Sequence, residues 1–97
     1  MVHFVRDDLF LGWSKELGLL RIERCFLEDR SSNQAYYIIY YEKLCAFDNK
    51  QGFNEIVVNN IGASIPSFSS YYSYQVFETQ KEAFEWLYNN SIFEVLK

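Results

Sequence analysis

Ala35-Tyr-Tyr-Ile-Ile-Tyr-Tyr-Glu-Lys-Leu-Cys-Ala-Phe47 is a run of thirteen residues, dense in aromatic and β-branched types and without glycine or proline. Such residues fit a pleated, packed surface, so the run reads as one long central β-strand. Both alternating sets along it are apolar: Tyr37, Ile39, Tyr41, Cys45 and Phe47 on one, Tyr36, Ile38, Tyr40, Leu44 and Ala46 on the other. Because successive side chains point to opposite faces, neither face of this strand suits open water, and each needs a cover.

The flanking segments supply candidates for neighbours and covers. On the N-terminal side, Leu20, Ile22 and Phe26 alternate with Arg21, Glu23 and Cys25 over residues 19–28, the pattern of a half-buried strand. The polar turn Asp29-Arg-Ser-Ser-Asn-Gln34 then pairs it antiparallel with the long strand, with Asp29 opposite Ala35 and Cys25 opposite Ile39. On the C-terminal side, Asp48-Asn-Lys-Gln-Gly52 forms a second turn, and Phe53 to Ile61 returns as a third strand along the other edge. A small-residue loop, Gly62 to Ser70, leads into a fourth strand, Tyr71 to Glu78. Thr79-Gln-Lys-Glu82 has capping-box spacing and opens a helix carrying Ala83, Phe84, Leu87 and Tyr88 on its apolar face, ending near Asn89-Asn90. Ile92 to Leu96 form a last strand or a docked tail.

Near the N-terminus, residues 2–5 suit an edge strand, and Asp7-Asp8 offers a helix cap. Leu9, Trp13 and Leu17 recur every four residues, with Phe10 broadening the stripe, which predicts an amphipathic helix stopped at Gly18. Gly12 opposes that helix by about 1 kcal/mol relative to Ala. The expected architecture is an α+β single domain spanning residues 1–97: an antiparallel meander of four or five strands with one N-terminal and one C-terminal helix packed on it.

Composition bounds the function. With 97 residues, 49% hydrophobic and 20% aromatic, the chain has the material for a core without metal or disulfide staples. In the expected register Cys25 and Cys45 lie roughly 20 Å apart along the ladder, so two buried free thiols are expected rather than a disulfide. The N-terminal segment lacks the pattern of a secretory signal, and no run approaches the ~18 apolar residues of a membrane span, so the cytoplasm is the expected compartment. A net charge of −4 disfavours a phosphate backbone as partner and favours a basic protein.

Catalytic chemistry finds little support in the residues. His3 is the single histidine, neither cysteine sits in a recognisable motif, and no phosphate loop or metal-ligand spacing occurs, so no enzyme activity and no cofactor is expected. Asp7-Asp8 and Glu28-Asp29 flank a helix start and a turn, where capping and solvation account for them. The unusual segment is Ile56 to Phe77, twenty-two residues without a charge. It is rich in Tyr, Ser and Asn, the mixture that binding loops use for rigid contact area and adaptable hydrogen bonds. Together with nearby carboxylates it gives a candidate partner-binding set: Glu42, Asp48, Glu55, Asn59, Asn60, Tyr71, Tyr72 and Tyr74. Tyrosines slow release of a partner, and complementary charge speeds its encounter.

In general character, a small acidic chain whose strands end in Phe77-Glu-Thr-Gln-Lys-Glu-Ala-Phe-Glu-Trp-Leu87 is similar to immunity proteins of bacterial toxin systems, including those of contact-dependent growth inhibition. The resemblance implies a non-catalytic inhibitor that binds a basic toxin or nuclease domain directly. Two alternatives stand beside it. One is a self-associating interaction module, which would form a homodimer where the inhibitor is a monomer. The other is a phage-type antagonist of a host defence complex.

Overall fold

A computed structural model describes residues 2–29, 33–43, 60, 62–66, 71 and 73–96. They form strands β1 (Val2–Ser14), β2 (Gly18–Leu27), β3 (Tyr36–Tyr41), β4 (Ala63–Ser64), β5 (Ser73–Phe77) and β6 (Phe93–Val95), and helix α1 (Gln80–Asn90). The strands make a single mixed sheet in the order β4-β1-β2-β3-β5, with β6 also paired to β1. The α+β class is therefore as expected, but β4 runs parallel to β1, so the sheet is not a pure antiparallel meander. Among the described residues there is one helix, not two.

The predicted N-terminal helix is the second half of β1. A spacing of four is a multiple of the strand period as well as close to the helical one, so Leu9 and Trp13 satisfy both readings. In the strand, Leu9, Leu11 and Trp13 share one face and Phe10 takes the other. A ten-pair antiparallel ladder with β2 settles the matter. Gly12 favours the strand because β6 docks there. A Cβ at this position would sit 2.7 Å from the Glu94 carbonyl oxygen, closer than real contacts allow. Gly18 does not cap a helix; it closes the β1–β2 hairpin at φ +79°, beside a turn in which the Leu17 amide donates to Ser14 Oγ at 2.9 Å.

β3 is the expected strand in shortened form, ending at Tyr41, where Glu42 and Lys43 bend away; residues 44–47, including Cys45, lie outside the described residues. It pairs antiparallel with β2, but Cys25 stands opposite Tyr36 rather than Ile39. That three-residue shift follows from a connection running from Glu28 to Ala35, and, being odd, it reverses which β3 residues share a face with Ile22. The other edge of β3 is taken by β5, from Tyr37↔Phe77 to Tyr41↔Ser73, and not by the segment Phe53 to Ile61, most of which lies outside the described residues.

Both faces of β3 are covered, as its double apolar pattern demands: Ile38 and Ile39 are each 0% exposed. On one face Leu20, Ile22, Ile39, Tyr41 and Phe77 pack beneath Ala83 and Leu87 of α1. Trp86 lies over the Tyr41 and Phe77 rings, with centroids 5.3 and 6.1 Å away. On the other face Cys25, Ile38, Tyr40 and Val76 are covered by Phe4, Ile65, Tyr71 and Tyr74 rather than by a helix. Truncating a side chain buried as Leu87 is costs about 2–5 kcal/mol, which makes α1 a structural necessity.

The cap of α1 forms where predicted. The Glu82 amide donates to Thr79 Oγ1 at 3.1 Å, while the Thr79 hydroxyl donates to the Glu82 carboxylate at 3.0 Å. The helix ends without left-handed backbone: Ser91 is extended, its amide donates to the Leu87 carbonyl at 2.9 Å, and Asn90 Nδ2 donates to the Trp86 carbonyl at 2.8 Å. From Ser91 the chain reaches β6, so the tail is a strand. No helix among the described residues is long and apolar enough to cross a membrane.

Substituting Gly12→Ala should displace β6 from β1 while leaving the β1–β2 hairpin intact, at a cost of about 1–3 kcal/mol. Urea denaturation measures the cost, and faster hydrogen exchange at the Leu96 amide, which bonds the Leu11 carbonyl at 2.7 Å, reports the local opening.

Candidate functional site

The face of the sheet away from α1 gathers most of the chain's chemistry. Register places Leu11, Arg21, Tyr40 and Tyr74 in one row across β1, β2, β3 and β5, and Leu9, Glu23, Ile38 and Val76 in the next. Glu23 is only 4% exposed, a carboxylate buried at the middle of this face. Arg21 Nε donates to it in a short charge-assisted bond, Arg6 approaches to 4.0 Å, and the Cys25 thiol donates at 3.6 Å. The buried charge is thus paired, which is the condition for its being tolerated there.

The groups around Glu23 feel both burial and its charge. Burial, then the Glu23 carboxylate, pushes the Cys25 thiol up to about 12, so this cysteine is free but held as an inert thiol. The same two causes, in the same order, raise the Tyr40 phenol. Tyr71 is raised mainly by burial; Arg21 opposes the shift, and Glu42 and Glu23 add to it.

Of the residues predicted to bind a partner, the structure brings three to this face. Tyr71 and Tyr74, both half-buried, flank Tyr40 with ring centroids 6.1 and 6.3 Å from it, tilted 52° and 50°. Glu42 lies at the end of β3, near enough for its charge to act on Tyr71. Its local work is structural: Glu42 Oε1 accepts from the Leu19 amide at 3.3 Å, and the Glu42 and Lys43 amides both donate to the Leu17 carbonyl, at 3.0 and 2.9 Å. Lys43 Nζ adds a bond to the Lys15 carbonyl at 2.9 Å, so the end of β3 clamps the β1–β2 turn. Asn60 is exposed. Asp48, Glu55, Asn59 and Tyr72 lie outside the described residues.

Asp7-Asp8 lies within β1 and caps no helix, whereas Glu28-Asp29 stands in a turn as expected. Asp7 is the extra residue of a bulge in β1 and takes a bidentate bond from Arg24, at 2.9 and 2.7 Å, which lowers its pKa. Asp8 Oδ1 accepts from the Leu9 amide at 2.9 Å. His3 Nδ1 lies 2.9 Å from Ser64 Oγ, across the β1–β4 pairing. Among the described residues no three His, Cys, Asp or Glu side chains are grouped to hold a metal ion.

Most of the large apolar side chains exposed among the described residues lie elsewhere, at positions the sequence did not single out for binding. Of the eight large hydrophobic side chains that are exposed among the described residues, Phe10, Trp13, Val95 and Leu96 lie on or next to β6 or on the stretch of β1 beside it, Tyr88 and Ile92 on the chain leading into it, and Leu19 one strand further, across from Trp13. Phe10 and Val95 share the helix-side face of the sheet, Trp13 and Leu19 the opposite face, and Leu96 follows β6. Ile92 is 87% exposed between α1 and β6, and Tyr88 is 71% exposed on the last turn of α1, its ring 5.3 Å from that of Phe93. Tyr88 was expected on the packed face of the helix with Ala83 and Leu87; it is turned outward instead, while those two are buried. These exposed side chains are spread over both faces of the sheet edge and the end of α1. In β6 Phe93 and Val95 take the helix-side face and Glu94 the other, while Leu96, just beyond the strand, falls on the Glu94 side, so the exposed apolar groups line both sides of this edge as a ridge.

No protein-family model, curated protein or solved structure matches the chain.

Two outcomes test the buried charge cluster. Replacing Glu23→Ala strands the Arg21 guanidinium and should cost about 3 kcal/mol in urea denaturation, and the Arg21→Ala and Glu23→Ala double substitution should cost less than the sum of the two single substitutions. The thiol of Cys25 stays protonated in the folded chain to about pH 12 but ionises near the ordinary thiol value of ~8.5 when unfolded. Its contribution to stability is therefore complete below that value and is lost as pH rises through the folded pKa. Stability should fall between about pH 9 and 12, and Cys25→Ala should flatten that slope in denaturation curves taken across the range.

Proposed function

We propose that the chain is a non-catalytic inhibitor that works by binding another protein, in the manner of the immunity proteins it resembles, and that its target is a basic toxin or nuclease domain. The observation that carries this reading is the ridge about β6, where Phe10, Trp13, Tyr88, Ile92, Val95 and Leu96 stand out to solvent. Large apolar side chains gathered about one sheet edge suit a surface that a partner covers, and Trp and Tyr are the side chains on which binding energy concentrates. A convex ridge suits a cleft, and an inhibitor that fills a cleft needs no chemistry of its own. The net charge of −4 favours a cationic target, as enzymes acting on nucleic acids commonly are.

The tyrosine face supports the same reading in a secondary role. Tyr71 and Tyr74 are half-buried against Tyr40, so they offer rigid ring edges rather than free side chains. A partner seated on the ridge and reaching past the β1–β2 turn would meet them next.

Capture of the partner from host lysate by the tagged chain, followed by kinetics on the purified pair, tests the proposal. Tyr88→Ala and Ile92→Ala should each accelerate dissociation by at least tenfold while leaving the association rate within about threefold, with Tyr74→Ala giving a smaller effect. Dissociation rates unchanged in both ridge variants, with the fold intact by circular dichroism, would remove the ridge from the interface. Sedimentation of the chain alone should show a monomer; a homodimer whose formation depends on Tyr88 and Ile92 would replace the inhibitor reading with self-association.

A further inference from the structure

Among the described residues the outward side of β6 is an open sheet edge, and the geometry points to its use: an extended strand of the partner, carrying a basic residue flanked by apolar ones, pairs antiparallel with β6 opposite Glu94. The inference rests on the protein-binding reading above and gives it a contact mode.

Hydrogen-bond parity identifies the open groups. Leu96 donates its amide to Leu11, its direct cross-strand neighbour, so Leu96 and Glu94 direct their backbone groups toward β1. Phe93 and Val95, lying between, direct theirs away from the sheet. No hydrogen bond among the described residues reaches those outward groups. The same parity shows that the outer edge of β1 is closed in several ways. Its ends are taken by β4 and β6, its middle is bulged at Asp7, and the outward amide of Leu9 is occupied by the Asp8 carboxylate. Bulges and edge carboxylates are the means by which sheets refuse further strands. β6 has neither a bulge nor a proline, and a single charge.

That charge selects the occupant. On an antiparallel strand added to β6, Phe93 and Val95 would form the wide hydrogen-bonded pairs, and Glu94 the narrow pair with Cα atoms about 4.5 Å apart. A second copy of β6 using the outward groups of both Phe93 and Val95 sets Glu94 against its own counterpart at that spacing, like charge on like charge. A lysine or arginine opposite Glu94 turns the repulsion into attraction. Residues on either side of that cation fall on the helix-side face, against Phe93, Val95 and Tyr88, where apolar side chains are favoured. Main-chain bonds then give affinity and alternating side chains give specificity, as in other strand additions.

The probe is the peptide acetyl-Thr-Val-Lys-Val-Thr-amide, with a control carrying Glu in place of Lys, titrated into the full chain and followed by amide resonances. The Lys peptide should shift the Phe93 and Val95 amides most and bind about fivefold more tightly than the Glu peptide, the preference vanishing in Glu94→Gln. Val95→Pro deletes an outward donor without touching the bonds to β1, and should abolish those shifts while the Leu96 amide stays protected. Absence of shifts at Phe93 and Val95, or equal affinity for the two peptides, overturns the inference. Protection of both amides that grows with protein concentration overturns it in favour of a second copy. Partner capture that survives Val95→Pro but is lost in Tyr88→Ala overturns strand pairing alone and leaves the protein-binding reading standing, whereas capture unaffected by any of these variants overturns both.

Discussion

A strand that is apolar on both faces can persist only between two covers, and β3 imposes that requirement on the rest of the molecule. Ile38 and Ile39 are consecutive and both fully excluded from water. Hydrogen bonding therefore fills both edges of β3, with β2 and β5, and packing must fill both faces. Helix α1 meets one need through Ala83, Leu87 and Trp86. The opposite face has no helix among the described residues, and is closed instead by Phe4, Ile65, Tyr71 and Tyr74, apolar groups brought from three different parts of the chain. Tyrosine suits this work, since its ring packs as a hydrophobe while its hydroxyl keeps a polar end near the surface.

The same constraint explains the buried ion cluster. With Ile38 beside it in register, Glu23 cannot reach water, so its charge is met from within by Arg21, with Arg6 and the Cys25 thiol near it. Removing either main partner leaves a charge in a medium that solvates it poorly, which is why such pairs are costly to break even when they are not costly to replace whole. The cluster also keeps Cys25 from reacting: a thiol whose pKa lies near 12 carries almost no thiolate at neutral pH.

Edges are treated unequally, and this asymmetry links fold to function. β1 is thirteen residues long and shares its outer side between β4 at one end and β6 at the other, leaving a middle that the Asp7 bulge and the Asp8 side chain close. At β6 the protection stops, and the apolar residues collect. A chain that had no use for this surface could have placed charge there, as it does along the exposed side of α1 with Lys81, Glu82 and Glu85. The concentration of unprotected backbone and exposed aromatic surface in one place is the physical basis for the binding reading.

Residue pattern alone determined the α+β class, the strands at β2, β3 and β5, the two-sided burial of β3 and the Thr79 cap of α1, because each of these rests on local spacing or on a side chain reaching its own backbone. It pointed to Tyr71, Tyr74 and Glu42 but not to what they do: Tyr71 and Tyr74 brace Tyr40, and Glu42 clamps a turn twenty-three residues earlier in the chain. Only the tertiary structure decided that residues 9–14 are strand, because Leu9 and Trp13 fit either period and the pairing with β2 breaks the tie. It likewise set the three-residue shift of β3 against β2, which depends on where the connecting loop lets pairing begin. The ridge about β6 was beyond sequence reasoning for the same reason. Phe10, Trp13, Leu19, Tyr88 and Val95 are ordinary core residues by type, and whether a hydrophobic side chain lies inside or outside depends on which element arrives to cover it, a matter of long-range packing that no local window contains.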